Sequence, residues 1–226
     1  AFSQGAILFD ARSIPQATPA LLTAGGWSDT TPLTGRGGRA APVLVRADFG
    51  EGVLRHYHRG GLVGRVIRDR YLYTSESNVR SVREFNLLAE LWQQAFPVPR
   101  PLLAGWRRHG MWYRAEIMTL RVEGATTLAQ QMALARNIPW DEIGRVIASF
   151  HKAGVFHADL NAHNVLIDAA EKVWLIDFDR GEIRKSELSW QQSNIARFKR
   201  SLEKLGGISE ACWQAFVSAY CDQLSA

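Results

Sequence analysis

An α+β chain of two lobes is the fold class this sequence predicts. A small β-rich lobe with one main helix is expected over about residues 1–118, and a reduced, mostly helical lobe over about 119–226. Three observations predict it. Strand-like runs at Val43–Arg46, Val53–Tyr57, Leu102–Arg107 and Trp112–Met118 are interrupted by one helical stripe, at about Ser81–Phe96. Beyond them helical patterns dominate, at Pro139–Gly154, Trp190–Leu205 and Ser209–Leu224. Among those helices lies His157–Asp179, which reads as a loop, a buried strand, a turn at Asp168–Lys172 and a second buried strand.

Asp159, Asn164 and Asp177 stand out against the apolar frame of that last stretch. Phosphoryl transfer needs such a set: one carboxylate to orient an attacking hydroxyl, and two oxygen donors for Mg²⁺. Aspartate and asparagine also punctuate ordinary turns, but a turn does not require this order and spacing. H-x-D-x-x-x-x-N at His157–Asn164, followed by Asp177-Phe178-Asp179, matches the catalytic-loop and metal-loop signature of protein-kinase-like folds. The expected roles are Asp159 as catalytic base, Asn164 and Asp177 as Mg²⁺ ligands, and ATP as phosphoryl donor. His157 reads as a structural histidine holding the loop, and His163 as a loop stabiliser.

Composition bounds the rest. Apolar residues make up 46% of the 226, eight of them Trp, which is ample for a core. The net charge of +5 gives a basic surface that could meet nucleic acid, an anionic membrane or a phosphorylated substrate, and charge alone does not choose. Cys212 and Cys221 both fall in the last helical pattern and read as thiols, with no disulfide or metal framework. No run of about 18 apolar residues occurs, so no membrane span is expected. The start has no charged region followed by a long apolar one, so no signal peptide is expected, and Ala1 in place of Met reads as an edited or processed start.

In chain order, residues 1–32 carry one short apolar run, Ile7-Leu8-Phe9, and read as an edge strand or a covering arm. Leu33–Arg39 contains Gly35, Gly37 and Gly38; glycines let backbone N–H groups turn toward phosphates, so this is a candidate ATP lid, although an ordinary turn has the same composition. Val53-Leu54-Arg55 aligns with the V-A-I-K strand of kinase-like folds with Arg in place of Lys. Arg55 is then either a phosphate contact of altered geometry or a cation on a solvated strand face. Glu84, on the helix with Val82, Phe85, Leu88 and Trp92 as its apolar stripe, is the natural partner of Arg55. Arg59, Arg65, Arg68 and Arg70, beside Tyr71 and Tyr73, would bind an anionic acceptor or simply solvate a loop. Glu116–Leu120, after a hairpin about His109-Gly110, is expected to join the lobes and line the adenine pocket.

Three departures from protein kinases narrow the acceptor. All eight prolines lie at or before position 139, so no A-P-E motif follows the metal loop. Too few residues follow Asp179 for a full protein-kinase C-lobe, and position 161 is Asn where Ser/Thr protein kinases usually have a Lys that contacts the transferred phosphate. A small-molecule or glycolipid hydroxyl therefore fits better than a protein one.

Val53–Tyr57 with Arg59-Gly60-Gly61-Leu62, Arg83-Glu84-Phe85, His157–Asn164 and Asp177-Phe178-Asp179-Arg180-Gly181 together resemble the lipopolysaccharide-core sugar kinases of Gram-negative bacteria, in the branch acting on 3-deoxy-D-manno-octulosonic acid (Kdo). The resemblance implies ATP- and Mg²⁺-dependent phosphorylation of the Kdo 4-hydroxyl on a lipid A precursor. It also implies a peripheral place at the cytoplasmic face of the inner membrane, on an anionic surface and without nucleic acid. A heptose kinase of the same core, another small-molecule phosphotransferase and a pseudokinase are the alternatives. The arginines from 59 to 70 lean toward an anionic acceptor, because cationic aminoglycosides would call for an acidic cleft.

Overall fold

The computed structural model describes residues 4–33, 41–58 and 69–226. They form two compact units, Ala1–Ala89 with Arg100–Arg121 and Glu90–Pro99 with Val122–Ala226. The first unit holds β1 (Gly5–Phe9), β2 (Asp29–Pro32), β3 (Val43–Ala47), β4 (Gly50–His56), β5 (Tyr71–Leu72), α1 (starting at Arg80 and ending at Gln93, in the second unit), β6 (Pro101–His109) and β7 (Trp112–Leu120). Among the described residues these strands make one antiparallel sheet in the order β1-β6-β7-β4-β3-β2, with β5 also paired to β7.

The ambiguous N-terminal stretch is both an edge strand and an arm. β1 pairs with β6, and the chain beyond it places Ile14 and Leu22 on Val45, Leu54, Leu102, Leu103 and Met118, with Trp27 edge-on to Phe49 at 5.7 Å. Gly105 makes this possible, since a Cβ there would fall 2.5 Å from a Leu22 methyl. Burying these side chains covers one apolar face of the sheet and removes it from water.

Helix α1 ends earlier than its pattern suggested. Ala95 takes a left-handed φ of 60° and Phe96 N–H returns to Leu91 O at 3.0 Å, closing the last turn ahead of Pro97. Leu87, Leu88 and Leu91 are buried, whereas Trp92, expected on the stripe, is 37% exposed. The buried face continues from Leu88 by a three-residue step to Leu91, about 100° around the helix from Trp92. Glu116–Leu120 remains strand, paired with β4 and β6, and the chain passes between units at Arg121–Val122.

The second unit contains β8 (Thr126–Thr127), α2 (Leu128–Ala133), α3 (Trp140–Lys152), β9 (Val155–Phe156), β10 (Val165–Ile167), β11 (Val173–Leu175), β12 (Glu182–Ile183), α4 (Leu188–Glu203) and α5 (Glu210–Ser225). Strands β11, β10 and β8 form one small sheet, β12 and β9 another. Asp141 and Glu142 in the first turn of α3 complement the helix dipole. Along α3, Gly144 lets α5 approach so closely that a Cβ would sit 2.4 Å from Phe216 O. Gly154, at φ 75°, ends α3 and turns the chain into β9, the strand that leads to His157. Phe150, Phe178, Phe198 and Phe216 are fully buried in this unit.

Candidate active site

The loop after β9 is fixed through main-chain atoms. His157 is buried, and burial holds its imidazole below the usual histidine range and therefore neutral. The neutral ring serves both sides: Nε2–H donates to Ile176 O at 2.9 Å, and Nδ1 accepts Asp159 N–H at 3.2 Å. This ties the loop to the segment after β11 and leaves neither ring nitrogen for proton transfer.

Asp159 O accepts from Asn161 Nδ2 at 2.8 Å and from Asn164 Nδ2 at 2.9 Å. Asn161 Oδ1 in turn accepts His163 N–H at 2.8 Å, so Asn161 is occupied within the loop. Asn164 has its nitrogen committed to the loop, and its Oδ1 takes no hydrogen bond among the described residues. Asn164 O accepts Ile176 N–H at 3.0 Å, which continues the β10–β11 ladder and sets Asn164 opposite the residue just before Asp177.

Asp177 adopts φ 63°, a left-handed conformation that costs an L-residue roughly 1–2 kcal/mol. Phe178 holds it there: the ring is fully buried, 4.6 Å from the His157 ring and 5.8 Å from that of Phe150. Asn164 and Asp177 offer oxygen donors of the kind Mg²⁺ takes, and among the described residues no cluster of three or more His, Cys, Asp or Glu could hold a metal without a substrate. One or two protein oxygens completed by water and phosphates is the usual Mg²⁺ arrangement, so this donor set fits that ion.

Helix α4 contributes residues the sequence did not single out. Asn194, Arg197 and Ser201 share one face, at i, i+3 and i+7, and meet the loop in order. Asn194 Nδ2 donates to His157 O at 2.8 Å, Arg197 pairs with the Asp159 carboxylate, and Ser201 Oγ accepts Ala162 N–H at 3.1 Å. Behind Asn194, its Oδ1 accepts from His151 Nε2 at 3.1 Å, and His151 Nδ1 accepts from Tyr220 OH at 2.8 Å. Burial lowers the His151 pKa to about 4, and burial, then the neighbouring Cys221, raises that of Tyr220 to about 12, so neutral imidazole and protonated phenol fit these directions. Read alone, Trp190–Leu205 is an amphipathic basic helix; the N-x-x-R-x-x-x-S spacing was the available signal, and it has meaning only once the loop lies against it.

In the first unit, Arg55 and Glu84 meet as the sequence suggested. Arg55 donates from one nitrogen to both Glu84 oxygens, at 2.6 and 2.7 Å, and Tyr57 OH also donates to the buried carboxylate. The guanidinium lies 4.9 Å from the Tyr57 ring centroid. Glu116 is buried in β7, with Oε1 2.8 Å from His56 Nδ1. Gly35, Gly37 and Gly38, and with them Arg59, Arg65 and Arg68, lie outside the described residues. Arg70 is exposed just before β5, and Asp69 beside it pairs with Arg114 at 2.7 Å.

The model of the lipopolysaccharide kinase (Kdo/WaaP) family matches residues 30–220. A 3-deoxy-D-manno-octulosonic acid kinase of Xanthomonas campestris pv. campestris (strain B100) is 47% identical over 204 residues, covering 90% of this chain and 82% of that protein. Enzymes of the same name from Stenotrophomonas maltophilia (strain K279a), 46% identical, and Xylella fastidiosa (strain M23), 44% identical, match over the same shares of both chains. Among solved structures, the bifunctional kinase-methyltransferase WbdD shares the fold, with a TM-score of 0.51 at 18% identity. That match covers 88% of this chain and 47% of WbdD, so the chain spans about half the length of that protein.

Proposed function

The chain belongs to the lipopolysaccharide kinase (Kdo/WaaP) family, and from that membership we propose that it transfers the γ-phosphoryl group of ATP to the 4-hydroxyl of Kdo carried on a lipid A precursor. The observation that carries this reading is the state of Asp159: its side chain is 45% exposed, on a loop whose anchors are main-chain hydrogen bonds to buried residues. A carboxylate held in place yet open to solvent can receive an acceptor hydroxyl without reorganising, which is where positioning lowers the barrier.

Asp159 accepts the hydrogen bond of the sugar hydroxyl and aims its oxygen at the γ-phosphorus. As the new O–P bond forms and the bond to the β–γ bridging oxygen breaks, the hydroxyl proton passes to Asp159 and then to water. Asn164 Oδ1 and the Asp177 carboxylate would hold Mg²⁺, which when bound offsets charge on the phosphate oxygens. Arg55, steadied by Glu84, is proposed to contact the nucleotide phosphates, and Gly35, Gly37 and Gly38, which lie outside the described residues, are proposed from the sequence as nucleotide-binding glycines. A lipid-borne acceptor puts the enzyme at the cytoplasmic face of the inner membrane, and the net charge of +5 supports attraction to an anionic surface. Among the described residues no helix is long and apolar enough to cross a membrane.

The test is purified protein with γ-labelled ATP and three acceptors: a Kdo-bearing lipid A precursor, the same precursor without Kdo, and a cationic aminoglycoside. Label is expected on the first alone. Label on the Kdo-free precursor, or efficient labelling of the aminoglycoside, would discard the Kdo acceptor.

A further inference from the structure

We propose that Arg197 binds the phosphoryl group in flight, supplying the positive charge that the loop around Asp159 lacks. The proposal rests on the reading of Asp159 as the base. Phosphoryl transfer spreads negative charge over the three non-bridging oxygens, and fixed cations aimed at that charge are a main source of rate. Yet His157–Asn164 contains no Lys or Arg, and Asn161, the first polar side chain after the base, is occupied by hydrogen bonds within the loop. The cation that the fold brings to the Asp159 carboxylate is Arg197, from a helix almost forty residues further on.

Three features argue for more than a structural pair. Asn194 and Ser201 clamp main-chain atoms of the loop, whereas Arg197 between them reaches the one side chain proposed to do chemistry. The pair is half-exposed, 47% for Arg197 and 45% for Asp159, and ion pairs in that setting contribute little to folding. Arg197 also uses one nitrogen on one Asp159 oxygen, which leaves the rest of its donor fork for a second oxyanion.

In the reaction the sugar oxygen bonds to the γ-phosphorus and its proton goes to Asp159. The bond from phosphorus to the β–γ bridging oxygen breaks, and ADP leaves with that oxygen and the electron pair. Through this exchange Arg197 donates N–H groups to non-bridging oxygens of the phosphoryl group, next to the Asp159 oxygen that receives the proton. Its binding is strongest where the charge is most spread, so its loss should be felt in kcat.

The experiment is steady-state kinetics of Arg197→Ala, Arg197→Lys and Asp159→Asn with the Kdo-bearing precursor, alongside thermal unfolding. For Arg197→Ala we expect kcat to fall about 100-fold, KM for ATP and for acceptor to stay within about threefold, and the melting temperature to be unchanged. Arg197→Lys, which keeps charge without the fork, should fall between, and added guanidinium ion should restore part of the Arg197→Ala turnover in a saturable way. Arg197→Ala turning over like the native enzyme while Asp159→Asn is inactive overturns this proposal and leaves the base standing. A loss confined to acceptor KM would assign the cation to the acceptor's carboxylate and overturn the phosphoryl role. Full turnover by Asp159→Asn would remove the base reading and this inference together.

Discussion

Asn194 and His157 are joined by a buried hydrogen bond, Asn194 Nδ2 to His157 O at 2.8 Å, although 37 positions separate them. The same amide accepts from His151 through its oxygen, so one side chain couples α3, α4 and the loop. Asn194→Ala leaves the His157 carbonyl and a His151 N–H without partners. At about 1–3 kcal/mol for each of these two buried groups, the variant should lose roughly 2–6 kcal/mol of stability. Urea unfolding at pH 7 measures this; a loss under about 0.5 kcal/mol would mean that water replaces the amide without cost. Turnover should also drop, because the main chain beside Asp159 is no longer clamped.

His151 makes stability depend on pH with a definite sign. Its pKa is lowered, by burial first, from 6.5 to about 4 in the folded protein. Between those values the unfolded chain binds a proton that the folded one does not, so stability is full above about pH 6.5 and falls as pH drops toward 4. At about 1.4 kcal/mol per pH unit, the loss from this residue at pH 5 is roughly 2 kcal/mol. His157, shifted the same way by burial, adds to it. Denaturant midpoints should fall from pH 7 to pH 5, and His151→Gln should flatten the slope even if it is less stable throughout. An unchanged slope in that variant would assign the acid sensitivity elsewhere.

Arg55 and Glu84 are expected to act as one unit. Arg55→Ala should raise KM for ATP and lower turnover by roughly tenfold or more, and Glu84→Gln should do much the same by loosening the guanidinium. The double variant should lose clearly less than the product of the two single losses, since coupled residues are not additive. Multiplicative losses would identify Arg55 as a strand cation with no part in holding the phosphates.

Asp159 and Asp177 should separate in a binding assay. Asp159→Asn keeps the shape of the loop and should lower turnover about 10²–10⁴-fold while nucleotide affinity stays near native. Asp177→Ala should remove Mg²⁺-dependent nucleotide binding together with turnover, and Asn164→Ala should weaken both. Isothermal titration with ATP, with and without Mg²⁺, distinguishes them. Intact Mg²⁺-dependent binding by Asp177→Ala would move the metal site away from this residue.

Local physics makes much of this molecule legible in its sequence. The order His157, Asp159, Asn164, Asp177, Phe178 is a short-range pattern, and the strands and turn that carry it follow from apolar runs and from Asp168. The pairing of Arg55 with Glu84 is legible for another reason: the downstream motif implies a fold in which a strand cation and a helix carboxylate are partners. What tertiary structure alone decided is whatever depends on two segments distant in sequence meeting. That the first thirty residues both edge the sheet and cover its core rests on Leu22 fitting where Gly105 has no side chain. The end of α1 and the exposure of Trp92 were settled by the left-handed turn at Ala95 and by which side of the helix found a partner. Above all, Asn194, Arg197 and Ser201 look in sequence like the polar side of any amphipathic helix. A helix pattern records which face is apolar but not what the polar face will meet, and here it met the loop that carries Asp159.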